Sequence, residues 1–536
     1  MDHFASLLES LIFTPSRNGK IQHLIDYFAS TPDPDRGWAV AAITRDLEIR
    51  SVKPAMIRGL VEDRMDPELF ALSYDYVGDL GETVSLVWPG KHGANRLPSL
   101  DDVVTTLNEA GRQEAPGIVT AWFDAMDPPA RWALIKLITG GLRIGVAARL
   151  VKLSLARFGD KEPQEIEELW HGLEPPYTDL FAWLEGRSEK PVNAAKAPFR
   201  PVMLAHALEE EDKSKIDLNE MTAEWKWDGI RVQAVSEDGI RRLYTRTGDD
   251  ISGTFPDIIN TLQKDVAIDG ELLIYDPSQT EGFNVRPFSD LQQRLNRKTV
   301  SKKMLTESPA FIRAYDLLWD DGADLRALPF SERRQRLEKV VDPAVLPRID
   351  LSQIIMAENW KQLTAMRAEP PEDAIEGVML KRCDAPYVPG RPKGQWWKWK
   401  REPFLVDAVL MYAQRGHGKR SSFYSDYTFG VWKVIDDERQ LVPVGKAYHG
   451  FTDAELKKID RFVRDNTIDR FGPVRAVTAT EDFGLVFEVA FEGLNQSTRH
   501  KSGVAMRFPR INRLRWDKPA AEADELTTLE AMLPAR

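Results

Sequence analysis

The sequence predicts a multidomain protein of mixed class. It reads as an all-α N-terminal domain over residues 1–190, an α+β domain over 200–402 and a β-rich C-terminal domain over 403–536. Three observations carry that prediction. Apolar residues recur at helical spacing in the first part, a proline- and alanine-rich stretch interrupts the chain near Gly186 to Pro201, and strand-like segments dominate after it.

In the first part, Phe4, Leu7, Leu8, Leu11 and Ile12 fall at i, i+3, i+4, i+7 and i+8, one face of an amphipathic helix. Leu134 to Leu142 and Ala147 to Phe158 look similar and are broken by Gly140-Gly141 and Gly145. The turn between them, Thr139 to Gly145, is surrounded by Lys136, Arg143 and Arg149. Turn amides with arginines can hold a phosphate, and equally such a turn can be a packing corner with solvated arginines. After the interruption, strands are expected at Ile230 to Val235, Arg242 to Thr247, Ala267 to Tyr275 and Gly377 to Arg382, with helices at Ser289 to Arg297 and Ser331 to Val340. A second boundary lies at Arg401-Glu402-Pro403. Short strands at Phe404 to Tyr412, Thr428 to Val434 and Gly484 to Phe491 then suit a small β-barrel of the OB type. The acidic tail from Ala520 to Leu533 is expected to be helical or frayed.

The totals exclude several classes. With 536 residues, 43% hydrophobic and 29% charged, the chain is an ordinary globular protein of several domains. One cysteine, Cys383, can form neither an internal disulfide nor a cysteine-rich zinc site. No run of membrane-spanning length and no signal-peptide pattern is present, so a cytoplasmic location without a membrane partner is expected. The net charge of −11 argues against a polyanionic partner only if basic residues are scattered, and they are not. Arg382, Arg391, Lys393, Lys398, Lys400 and Arg401 crowd one segment, and Arg415-Gly416-His417-Gly418-Lys419-Arg420 forms a basic, glycine-rich turn. His417 there fits a backbone or phosphate contact better than a metal ligand, since no second histidine lies at ligand spacing.

The chain is organised around Glu224-Trp225-Lys226-Trp227-Asp228-Gly229-Ile230-Arg231, which reads as a half-buried strand carrying a lysine between two carboxylates. Five stretches follow in order: Arg246 in Tyr244 to Gly248, Glu271 ending a strand, Tyr315 in an apolar strand, Glu376 beginning another, and Lys398 with Lys400 on one face of Trp396 to Lys400. Each alone has a structural explanation: carboxylates before glycine are common in turns, Tyr315 suits a core, and the lysine pair suits a solvated edge. The ordered set suits nucleotidyl transfer. A lysine amine would attack an α-phosphorus and expel pyrophosphate, for which it must be neutral, against an ordinary pKa of about 10.4. Nearby Lys398, Lys400 and a metal would favour the neutral amine. Glu271 or Glu376 would supply hard oxygen ligands for Mg²⁺.

This set of motifs resembles the ATP-dependent DNA ligases. The resemblance implies that Lys226 is adenylated within K-x-D-G-x-R, with Asp228 part of the catalytic set, that Glu224 reads adenine and that Tyr315 stacks on it. It implies further that Arg231 and Arg246 engage the nucleotide and the nick 5′-phosphate, Glu271 the ribose or a metal, Glu376 the metal, and Lys398 and Lys400 the α-phosphate. The arginine motif departs from the usual S-R-N-G by reading T-R-T-G. Arg515-Trp516-Asp517-Lys518 resembles the closing R-x-D-K motif, where Arg515 and Lys518 would orient pyrophosphate. NAD⁺-dependent ligases lack that motif and carry a four-cysteine zinc site, so ATP is the expected nucleotide, with Mg²⁺, replaceable by Mn²⁺. The helical region is similar to the DNA-binding domain of larger ligases, implying a monomeric clamp on nicked duplex DNA contacted by Arg143, Arg246, Arg415, Lys419 and Arg420. The length is most similar to bacterial ligases associated with DNA repair. An RNA ligase, a capping guanylyltransferase and a non-catalytic DNA-end-binding scaffold are the competing readings.

Overall fold

The structure is a computed structural model that describes residues 1–89, 97–191, 196–278, 284–295, 297, 300–415, 423–497 and 500–533, the side chains of 75 and 76 excepted. The chain divides into two compact units, Met1–Pro201 and Val202–Arg536.

The first unit is helical. Its opening helix, Asp2–Phe13, buries Phe4, Leu7, Leu8 and Leu11, each about 1.5–3 kcal/mol of hydrophobic stabilisation. Ile12, expected on that stripe, sits in the last turn and stays exposed. The helix expected to run to Leu142 stops at Ile138, because Gly140 takes φ +68°. Asp127 caps its start by accepting from the Ala130 amide, with Pro128 at the first helical position. The following turn is tied down by Lys20, whose Nζ donates to the Ile144 and Gly145 carbonyls at 2.9 and 3.0 Å. Lys136, expected at the turn, pairs with Asp79 instead, whereas Arg143 is exposed.

The second unit begins with two sheets that share a cleft. One has the strand order His206–Ala207, Trp396–Lys400, Ile375–Arg382, Met221–Trp227, Ile354–Ile355. The other runs Ile240–Thr245, Ile230–Glu237, Val266–Ile274, Ala310–Asp320, Ala323–Asp324, with Ile349–Leu351 parallel to Ala310–Asp320. The lysine motif is therefore not one strand. It leaves the first sheet at Trp227, turns through Asp228 and Gly229, and enters the second at Ile230.

A β-rich region completes the unit. Seven strands, among them Phe404–Arg415, Tyr424–Ile435, Glu438–Ala447 and Val486–Phe491, pair around Phe404–Arg415 over a core that includes Tyr427, Phe429, Phe487 and Phe491. A helix at Asp453–Asp465, unforeseen from sequence, packs on it through Leu456, Ile459 and Val463. Thr452 and Glu455 form its capping box. The tail yields a short helix at Leu526–Glu530 whose Leu526 and Leu529 are buried.

Candidate active site

Side chains two apart on a strand share a face, and the first sheet uses this to build a ladder. On its central strand, Gly377 is flanked by Lys226 and Lys400, and Met379 by Glu224 and Lys398. Lys381 comes next, beside Thr222 and Trp396. A close approach explains the glycine: at φ +151° a Cβ there would lie 2.2 Å from the Trp399 carbonyl oxygen. Glu376 would point away by strict alternation. A register shift between Ile375 and Gly377 re-aims it. Its carboxylate meets Lys226 Nζ on one oxygen and Lys400 Nζ, 3.1 Å away, on the other. The immediate partner of Lys226 is thus an anion rather than the cations expected around it.

The second sheet forms the facing wall. Arg231 stands opposite Glu271, which lies in mid-strand rather than at a strand end. Tyr315 is the unpaired residue where the register of Ala310–Asp320 slips between Ala314 and Asp316. That bulge turns an aromatic out of an otherwise buried strand. The cleft between the sheets has a volume of about 520 Å³ and is lined by Lys226, Asp228, Arg231, Arg246, Glu271, Tyr315, Glu376, Lys398 and Lys400 together with Glu224.

Burial sets the electrostatics. Glu271 opens to the cleft, yet burial pushes its carboxyl up to about 8; Lys226 opposes this and Glu376 reinforces it. For Glu376 burial acts upward too, but Lys226 and Lys400 outweigh it and hold the carboxyl below its ordinary value. Lys398 is lowered by burial and by the neighbouring Lys226 and Lys400. Lys400 goes the other way: burial is overcome by Glu376 and by Glu492, 2.5 Å from its Nζ.

Several side chains in or under the cleft were not expected. Lys381, 1% exposed, donates to Glu224 at 2.6 Å and lies 4.5 Å from the Tyr315 ring centroid. Arg334 holds the other Glu224 oxygen at 2.9 Å, so Glu224 is clamped between two cations. Asp269, fully buried, takes Arg231 Nε and Nη2 at 3.0 and 2.6 Å and the Tyr387 hydroxyl at 2.6 Å. From the β-rich region, Arg507 makes a two-point ion pair with Asp228, one bond at 3.0 Å. Lys381 and Asp269 had a visible signal, a charge inside an apolar strand. Arg507 belongs to the Arg507-Phe508-Pro509-Arg510 run that resembles the family's closing motif, but its pairing with Asp228, 279 residues away, left no local signal.

Arg515 and Lys518 are not brought to this cleft. Both converge on Asp407, at 3.1 and 2.7 Å. Arg246 occupies an exposed turn at the rim, as expected. Arg415 ends its strand exposed, its guanidinium 5.7 Å from the Tyr424 ring centroid, while Lys419 and Arg420 lie outside the described residues.

Three family models match the chain: DNA ligase N terminus over residues 1–156, ATP dependent DNA ligase domain over 202–400 and ATP dependent DNA ligase C terminal region over 420–518. A curated relative from Koribacter versatilis, described as a probable DNA ligase, is 30% identical, over 99% of this chain and 96% of its own. The chain belongs to the ATP-dependent DNA ligases. A second probable DNA ligase, from Opitutus terrae, is 28% identical over 99% of this ligase, which spans 62% of that longer protein. Among solved structures, Pmar-Lig_PreS3 shares the fold at a TM-score of 0.59 and 15% identity, covering 96% of this ligase and 99% of that chain. Family membership makes ATP the nucleotide, in keeping with the R-x-D-K motif. Among the described residues, no helix of the ligase is long and apolar enough to cross a membrane.

Proposed function

We propose that the ligase seals nicks in duplex DNA through a covalent adenylate on Lys226. Its Nζ attacks the α-phosphorus of ATP, the P–N bond forms as the bond to pyrophosphate breaks, and the amine gives up its proton. The DNA 5′-phosphate then displaces Lys226 to form an adenylated end, and the 3′-hydroxyl attacks that end to release AMP. The observation that carries this is the bridging of Lys226 and Lys400 by the Glu376 carboxylate, inside a cleft that also holds Lys398 and is large enough for a nucleotide. Lys398 and Lys400 would hold the α-phosphate, Tyr315 would stack on adenine, and Glu224 with its cation partners would set the adenine edge. Arg231, braced by Asp269, and Arg246 would position the nucleotide and the 5′-phosphate.

Glu271 and Glu376 offer the hard oxygens that suit Mg²⁺, with substrate phosphates and water completing the shell. Burial raises the Glu271 pKa, and a divalent cation bound beside it would favour the ionised carboxylate. When bound, the metal would supply electrostatic stabilisation of the phosphoryl oxygens.

In this reading residues 200–402 work as a nucleotidyltransferase domain and 403–536 as an OB-fold. Residues 1–190 form a helical DNA-binding domain that contacts the backbone through Arg143, with Arg415 doing so from the β-rich region. The enzyme would act as a monomeric clamp on nicked duplex, in the cytoplasm and in DNA repair. The test supplies α-labelled ATP, GTP or NAD⁺ with Mg²⁺, followed by nicked DNA or nicked RNA. Label from ATP alone should attach covalently and leave as nicked DNA is sealed, and Lys226→Ala should abolish both steps. Label persisting on that variant, or charging by GTP, would overturn the proposal.

A further inference from the structure

The β-rich region carries a groove of about 470 Å³ that is separate from the cleft: the two share no lining residue. Lys457, Lys458 and Arg461 form one side. They lie at i, i+1 and i+4 on the helix Asp453–Asp465, all exposed, on the opposite side from its buried Leu456, Ile459 and Val463. Among the described residues none of the three makes an ion pair, and Asp465 is the one acid lining the groove. The other side is Trp516, 51% exposed.

That tryptophan sits between Arg515 and Lys518 in sequence but does not share their surroundings. Those two turn toward Asp407, whereas Trp516 packs edge-on against Phe462 at 5.9 Å. Phe462 in turn stacks on Phe483, 46% exposed, at 5.8 Å and 16°. Phe462 and Trp516 thus line the groove beside three cations that make no ion pair, and Phe483 extends the row of rings behind Phe462. Duplex DNA presents phosphates and no free base faces on its outside, so it would use the cations and leave the rings idle. An unpaired strand uses both, its phosphates on the cations and a base on the exposed ring.

We propose that this groove binds single-stranded DNA, with Lys457, Lys458 and Arg461 on the phosphates and Trp516 as the stacking surface. The partner would be an overhang, flap or gap strand beside the site of joining. The inference stands on this surface and does not depend on the roles assigned in the cleft.

The test is fluorescence anisotropy of the full-length protein with a fluorescein-labelled single-stranded oligonucleotide and with a blunt duplex of the same sequence, each titrated with salt. The triple variant Lys457→Glu, Lys458→Glu, Arg461→Glu should weaken single-strand binding at least tenfold. It should also flatten the log–log salt slope by about 2, as expected for three phosphate contacts on a single strand. Trp516→Ala should weaken it roughly tenfold, and Trp516→Phe should restore much of the loss. Trp516→Ala should change duplex binding less than twofold, the triple variant should lose less on duplex than on the single strand, and the triple variant should self-adenylate as the parent does, which reports an intact fold. Retained single-strand affinity in the triple variant, an equal loss on duplex, or no effect of Trp516→Ala would each overturn the proposal.

Discussion

Arg507 and Asp228, 279 residues apart, form a two-point ion pair that fastens the β-rich region to the turn two residues beyond Lys226. Its neighbour Phe508 also lines the cleft, and the Arg507 guanidinium lies 4.6 Å from the Phe288 ring centroid. Burial disfavours the charged guanidinium, yet Asp228 overcomes it and raises the Arg507 pKa. With this contact made, Arg515 and Lys518 face Asp407 and not the cleft.

If Arg515 and Lys518 act in adenylation as proposed, the contact belongs to a stage that does not use them. Arg507→Ala should slow sealing of a pre-adenylated nick by about ten- to a hundredfold, the range for a charge-assisted two-point bond. Self-adenylation should stay within about twofold. Single-turnover kinetics on the two steps decides it, and equal slowing of both would rule the stage assignment out.

Arg515→Ala and Lys518→Ala should have the reverse profile. If these side chains orient pyrophosphate, adenylation with labelled ATP falls by two orders of magnitude or so, in line with loss of one transition-state donor, while a pre-adenylated nick is sealed normally. Loss in both assays would tie them to the Asp407 cluster alone.

Glu224 is 1% exposed and joins Arg334 to Lys381. Removing a carboxylate from such a pair leaves buried cations without a partner. Glu224→Ala should lower the unfolding free energy by about 3–5 kcal/mol, measured by urea denaturation of the second unit's transition. A loss below about 1 kcal/mol would mean the cations find water or each other's partners on mutation.

Glu271 gives a pH signature. Its carboxyl sits at about 8 in the fold against 4.5 ordinarily. Between those values the folded protein keeps a proton that the unfolded chain has released, so stability is full below 4.5 and is lost as pH rises toward 8. The Tm of metal-free protein should fall across that window, and Glu271→Gln should flatten the fall. Parallel Tm curves for parent and variant would remove Glu271 as the source.

Much of the cleft was legible because its residues lie on strands whose spacing can be counted. Lys398 and Lys400 share a face for that reason, and Lys226 falls across Gly377 from Lys400 once the sheet pairs. Bulges were not legible. Glu376 and Tyr315 reach the cleft through register slips that are set by neighbouring strands, not by local sequence. The break at Asp228-Gly229 was likewise hidden, since alternation continues across it while the chain changes sheets. The helix Asp453–Asp465 was there to be found in Thr452 and Glu455, but strand-rich surroundings outweighed a local cap. Lys136 shows the limit for exposed-looking cations: Asp79, far off in sequence, claims it.

Gly377 has no side chain, no charge and no part in any bond-making step, yet the ladder closes only because it is bare. In a saturation library every substitution there should score with the nulls, alongside Lys226. Ranking positions by tolerance would then nominate 377 as chemistry, when what the fold requires at that point is room for the Trp399 and Lys400 backbone of the next strand.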